Sequence, residues 1–138
     1  MKNKISLTEG IRFHGHLGPW LVLGLLMGEY GLKKISADKY FGLEAEISGL
    51  HKKPRSCLID GLQLSTGCTL GKGNIKILKS KDIFVNFISS KTNKKIRVRL
   101  RDEILKTLES TDGHSACEKL AKKIYRQQPD KFFMVGKV

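Results

Sequence analysis

The chain has 138 residues, 40% of them hydrophobic, with one Trp, three Tyr and six Phe, enough for one ordinary core without disulfides or a structural metal. Its 26 Lys and Arg against 13 Asp and Glu give a net charge of +13 that is spread along the chain, first of all a solvated basic surface. No signal-peptide core follows MKNKISLTEG, no run approaches a membrane span, and three irregularly spaced cysteines suit a reducing compartment, so a cytoplasmic protein with unbridged thiols is expected.

The first distinctive stretch is Phe13 to Gly24, FHGHLGPWLVLG. Gly18 and Pro19 read as an N-cap and first helical residue, because the N–H that proline lacks has no helical partner there. A helix is predicted over Pro19–Tyr30, with Gly31 as its stop. It is apolar nearly all round and therefore belongs in the interior. Gly24 and Gly28 lie one turn apart and admit the close approach of a partner helix, one from a second protomer included.

Phe41–Ile47 alternates apolar and acidic residues and reads as a strand. Leu58–Ser65 can form two turns of helix, and GCTLGKGN after it is a glycine loop. Ile75–Leu78, Ile83–Ile88 and Lys95–Leu100 are strand-like runs joined by short polar turns, which predicts an antiparallel meander. Cys117, Leu120, Ala121, Ile124 and Tyr125 follow helical spacing, with Asp112 or Ser115 as caps, and Phe132–Val135 closes the chain as a strand. The order predicts one α+β domain over residues 1–138: an antiparallel sheet with a buried N-terminal helix and C-terminal helices.

Three stretches carry chemistry. His14 and His16 precede a helix whose positive end disfavours imidazolium and keeps a ring nitrogen free for a metal, and in an extended segment both rings project to one side. Two hydrogen-bonded loop histidines would give the same pattern. In CLIDGLQLSTGC, Cys57, Asp60 and Gln63 share a helical face, where the helix dipole favours a thiolate and the carboxylate can bind metal, accept a proton or orient a histidine. A core cysteine and a first-turn acid would also satisfy this spacing. The ten residues between Cys57 and Cys68 exclude a Cys-x-x-Cys zinc knuckle. GCTLGKGN has three residues between Gly67 and Gly71 and no Ser or Thr after Lys72, so it is no Walker loop, although Lys72 can meet an anion. His51 and His114 lack spaced partners and read as surface residues, and Cys117 falls in the helical core stripe.

FHGHLGP with its apolar helix, and CLIDGLQLSTGCTLGKGN about forty residues later, resemble the two signature blocks of FmdE, a family of formylmethanofuran dehydrogenase subunits, over roughly Phe13 to Leu100. The resemblance implies an α+β core that forms intertwined dimers, here without the separate zinc-finger domain found in some members. It also implies one pocket lined by His14, His16, Cys57, Asp60, Gln63, Thr66 and Cys68, with zinc or another divalent transition metal held by His14, His16, Cys57 and Cys68. Gly18 departs from the family's usual cysteine at that position, removing one thiol.

Two functional expectations follow. The first is a metal-binding homodimer accessory to, or related to, the molybdenum or tungsten dehydrogenase, with Asp60 as the catalytic or orienting carboxylate and Lys72 contacting a small anionic substrate. No pterin or iron–sulfur ligand pattern is present, so the redox chemistry lies elsewhere. The second is a nucleic-acid-binding or regulatory module built on KKIRVRLR, where Lys95, Arg97, Arg99 and Arg101 would form a ladder at about 6.6 Å spacing along a strand. A solvent-facing strand side explains the same residues, and no aromatic interrupts the ladder to stack a base.

Overall fold

A computed structural model describes residues 4–138, and the chain there opens with a short helix, α1 (Leu7–His14). Ser6 and Glu9 form a capping box, the Ser6 hydroxyl accepting from the Glu9 amide at 3.1 Å while the Glu9 carboxylate reaches back to the Ser6 N–H. This helix is absent from the elements predicted above. Gly18 caps α2 (Pro19–Ile35) with Pro19 at its first position, as predicted, but the helix passes through Gly31 and ends at Ser36. Gly31 is no stop: the Phe87 ring occupies the space where its side chain would stand.

The remaining elements are β1 (Leu43–Ser48), α3 (Cys57–Thr66), β2 (Ile75–Leu78), β3 (Phe84–Ser89), β4 (Lys95–Leu100), α4 (Asp102–Ser110), α5 (His114–Tyr125), a 3-10 turn at Pro129–Lys131 and β5 (Phe133–Gly136). Gly113, rather than Asp112 or Ser115, is the N-cap of α5. The strands form one sheet in the order β2-β1-β3-β4-β5. The antiparallel meander holds for β3 and β4, and β5 returns after α4 and α5 to pair antiparallel with β4. The meander fails for β2, which pairs parallel to β1 with Ala45 opposite Ile75 and Ile47 opposite Ile77. The physical reason is α3, which carries the chain between the two strands as a helical crossover, the connection that parallel neighbours need. The fold is therefore α+β with a mixed sheet.

Alternation along the strands sends Leu43, Ala45, Ile47, Val85, Phe87, Ile96, Val98 and Phe133 into the core with α2. Helix α2 contacts α1, α3, α5, β3 and β4, which is why it tolerates apolar residues on every side. Its glycine face receives α3 of the same chain. A Cβ on Gly24 would collide with the Leu58 carbonyl oxygen, one on Gly61 with that of Leu21, and one on Gly28 with the Ser65 hydroxyl. Ser65 Oγ lies 2.8 Å from the Gly61 carbonyl oxygen and 3.1 Å from that of Gly24, bonding across the contact. The close approach foreseen at Gly24 and Gly28 is thus intramolecular, and these glycines are no argument for a dimer. Among the described residues, no helix is long and apolar enough to cross a membrane.

Candidate metal centre

His14 is the last residue of α1, and Gly15 follows in the left-handed region at φ 105°. That turn, rather than an extended segment, brings His16 back beside His14, with ring centroids 4.7 Å apart and planes at 65°. Cys57 enters from a third direction as the first residue of α3, whose position is set by the Gly24 and Gly61 contact with α2. One ring nitrogen from each histidine and Cys57 Sγ lie within 4.8 Å of one another.

The hydrogen bonds around this cluster define its chemistry. Asp60, one turn along α3 from Cys57, accepts from His14 Nδ1 at 2.6 Å, and Gln63 Nε2 steadies the carboxylate from 3.4 Å. In the neutral ring, a proton on Nδ1 facing Asp60 leaves the lone pair on Nε2. That atom is buried and has no hydrogen-bond partner among the described residues. A buried acceptor left unpaired is destabilising, whereas a ring nitrogen oriented by a carboxylate on its far side is the usual arrangement of a metal-bound histidine. The residues therefore fit a metal ion. Two imidazoles and one thiol form a borderline-soft set suited to zinc and its neighbours, and three protein ligands leave a coordination position for water or substrate.

Burial pushes the Cys57 thiol up from its ordinary value, the Asp60 carboxylate pushes it further, and Lys53 partly offsets both. The helix start does not yield the thiolate that the sequence suggests. A metal ion binding here displaces the thiol proton.

Beside the cluster lies a pocket of about 400 Å³ whose wall includes His16, Gly18, Trp20, Pro54, Leu108 and Cys117. A Cβ on Gly18 would stand 3.3 Å from His16 Cε1 and 3.6 Å from Nδ1, so a cysteine at this position would project against the His16 ring. Its replacement by glycine leaves that side of the cluster open. Cys117, read above as a core residue, is only half-buried and lines this pocket, while His114 is exposed as expected and sits at the pocket rim, 3.2 Å from Glu118. Helical spacing alone gave no sign of the role of Cys117, since α5 reaches the site only through packing on α2.

The FmdE family model, described as "FmdE, Molybdenum formylmethanofuran dehydrogenase operon", matches residues 13–134. The chain belongs to the FmdE family. It also resembles, with a TM-score of 0.67 and 26% identity, the crystal structure of a tungsten formylmethanofuran dehydrogenase FmdE-like protein from Syntrophus aciditrophicus, over 95% of this chain and 70% of that one. A probable S-adenosyl-L-methionine-binding protein of Archaeoglobus fulgidus is 29% identical over 99 residues, 70% of this chain but 27% of that protein. The chain thus spans about a quarter of the length of that curated relative.

The other residues singled out in this FmdE chain lie away from the cluster. Thr66 and Cys57 stand at opposite ends of α3, about 14 Å apart at the ordinary helical rise. The Thr66 hydroxyl bonds the Leu62 carbonyl and accepts from the Cys68 N–H at 3.0 Å. Cys68 is fully buried in the core, its thiol 3.4 Å from the Leu43 carbonyl oxygen, and is not brought to His14, His16 and Cys57. Lys72 is exposed near the rings of Tyr40 and Phe41, 5.9 and 5.5 Å from their centroids, rather than in the pocket. On β4, Arg97 donates to Asn86 Oδ1 at 2.8 Å and covers the Phe84 ring at 3.7 Å, and just beyond the strand Arg101, the N-cap of α4, donates to the Asp130 carbonyl at 3.2 Å. Two of the four ladder cations are thereby engaged within the chain.

Proposed function

We propose that this FmdE-family chain binds zinc or a similar divalent transition metal through His14, His16 and Cys57, and acts as a cytoplasmic homodimer accessory to formylmethanofuran dehydrogenase chemistry. The observation that carries the metal reading is the buried, unpartnered Nε2 of His14, on a ring whose Nδ1 is held by Asp60. The link to one-carbon metabolism rests on family membership and on the likeness to the tungsten formylmethanofuran dehydrogenase FmdE-like protein.

When bound, such an ion supplies a Lewis acid and an exchangeable water position. Asp60 keeps the proton on His14 Nδ1 and so acts as a positioning residue rather than a ligand. Trp20, Leu108 and Pro54 shape the adjoining pocket and limit water there. Among the described residues no Lys or Arg lines that pocket, Lys72 included, so a substrate presents an uncharged or soft donor group to the open position. Engagement of Arg97 and Arg101 removes the main support for a nucleic-acid track along β4.

The test is metal content by mass spectrometry on tag-free protein purified without added metal, alongside His16→Ala and Cys57→Ala. Near-stoichiometric metal in the parent and its loss in both variants is the expected result. A folded parent that neither retains nor takes up zinc overturns the reading.

A further inference from the structure

On the other side of Pro54, between the segment after β1 and the turn joining β2 to β3, lies a second cleft of about 500 Å³. Its wall includes His51, Lys52, Lys53, Arg55, Lys79 and Lys81, and among the described residues no Asp or Glu lines it. Arg55 is partly neutralised by Glu109 at 2.9 Å. The four lysines are exposed and form no ion pair among the described residues. On the same wall, Nδ1 of His51 is buried without a hydrogen-bond partner among the described residues. Like charges gathered in a concavity reinforce one another's potential and concentrate anions far more than the same charges scattered over a convex surface. This sets the cleft apart from Arg97 on β4 and Arg101 just after it, which are engaged by Asn86, Phe84 and the Asp130 carbonyl.

We propose that this cleft is a binding site for a compact, multiply charged anion of the di- or triphosphate class. A single negative charge would leave most of the lysines uncompensated, whereas a short phosphate chain offers several charges and acceptor oxygens within one cleft. The volume is that of a small-molecule site. Two short loop segments form it, and no aromatic side chain lines it to stack a base, which disfavours an extended single-stranded nucleic acid. Neither His14, His16 nor Cys57 lines the cleft, so the anion site stands or falls separately from the metal site.

The experiment is calorimetric titration of metal-free protein with inorganic triphosphate at low and moderate ionic strength. The parent is compared with Lys79→Gln/Lys81→Gln in the cleft and with Lys119→Gln/Lys122→Gln, which removes the same charge from the exposed side of α5. Expected are one triphosphate per chain, weakening of at least about tenfold in the cleft pair, and a change of less than about twofold in the α5 pair. Absence of saturable binding overturns the proposal, as does equal weakening by both pairs, which would mean diffuse attraction to a net charge of +13. So does tighter binding of a single-stranded oligonucleotide that Lys95→Gln/Arg99→Gln weakens as much as the cleft pair, which would assign the charge to a nucleic-acid surface.

Discussion

The two ends of α3 carry the two cysteines of one sequence block and put them to different uses. At the first, Cys57 is half-buried beside two histidines, with Asp60 holding His14 through a 2.6 Å hydrogen bond. At the last, Thr66 and Cys68 close the helix on itself and on β1, with every polar contact made to backbone. The same thiol is a candidate ligand in one place and a small core residue in the other. What separates them is the company each thiol keeps: beside Cys57 the buried Nε2 of His14 has no partner among the described residues, whereas the Cys68 thiol is bonded to the Leu43 carbonyl oxygen.

The contrast can be broken first at Cys57. Cys57→Ser should lower zinc affinity by more than the roughly 10–100-fold typical of an outer partner, with little change in the thermal midpoint of the metal-free protein; competition against a chromogenic chelator measures it. Asp60→Asn sharpens the comparison from the same end. Affinity should fall within that roughly 10–100-fold range with the metal still bound at saturation, because the ligands remain and only the orientation and basicity of His14 are lost. Cys68→Ser should do the reverse, costing about 1–3 kcal/mol in denaturant unfolding through imperfect burial of a hydroxyl, with metal stoichiometry unchanged.

The smallest effect belongs to Glu29 on α2, which should leave both ends of α3 untouched. Burial raises its carboxyl above the ordinary value, with Lys4 and the Ile5 backbone partly opposing. The folded chain then holds this proton more tightly than the unfolded one, so its contribution to stability falls as pH rises from the ordinary glutamate range through the raised value and levels off beyond. Glu29→Gln should flatten that slope and add about 1 kcal/mol or less at neutral pH, read from midpoints across a pH series.

Much of the site was legible because its residues come in two short blocks. Spacing singled out His14, His16, Cys57 and Asp60 as candidates, the FmdE resemblance joined them in one pocket, and β4 runs over Lys95–Leu100 as expected. The means of convergence was not legible, because it depends on Gly15 adopting a left-handed turn at the end of α1, a short helix marked in sequence only by the Ser6 and Glu9 capping pair. Gly31 misled for a tertiary reason, since a glycine that admits a ring from another strand looks in sequence like one that ends a helix. The parallel pairing of β2 could have been argued from its place after a strand and a helix. Cys117 could not, because only the packing of α5 on α2 brings it to the pocket.

The most direct single measurement is zinc-edge X-ray absorption of the reconstituted protein. If His14, His16 and Cys57 hold the ion, the nearest shell contains one sulfur at about 2.3 Å together with nitrogen or oxygen neighbours at about 2.0–2.1 Å, histidine scattering beyond them, and no sulfur in Cys57→Ser. Two sulfurs would bring Cys68 or Cys117 to the metal, and no sulfur would leave Cys57 outside it; either result contradicts the division between the two ends of α3.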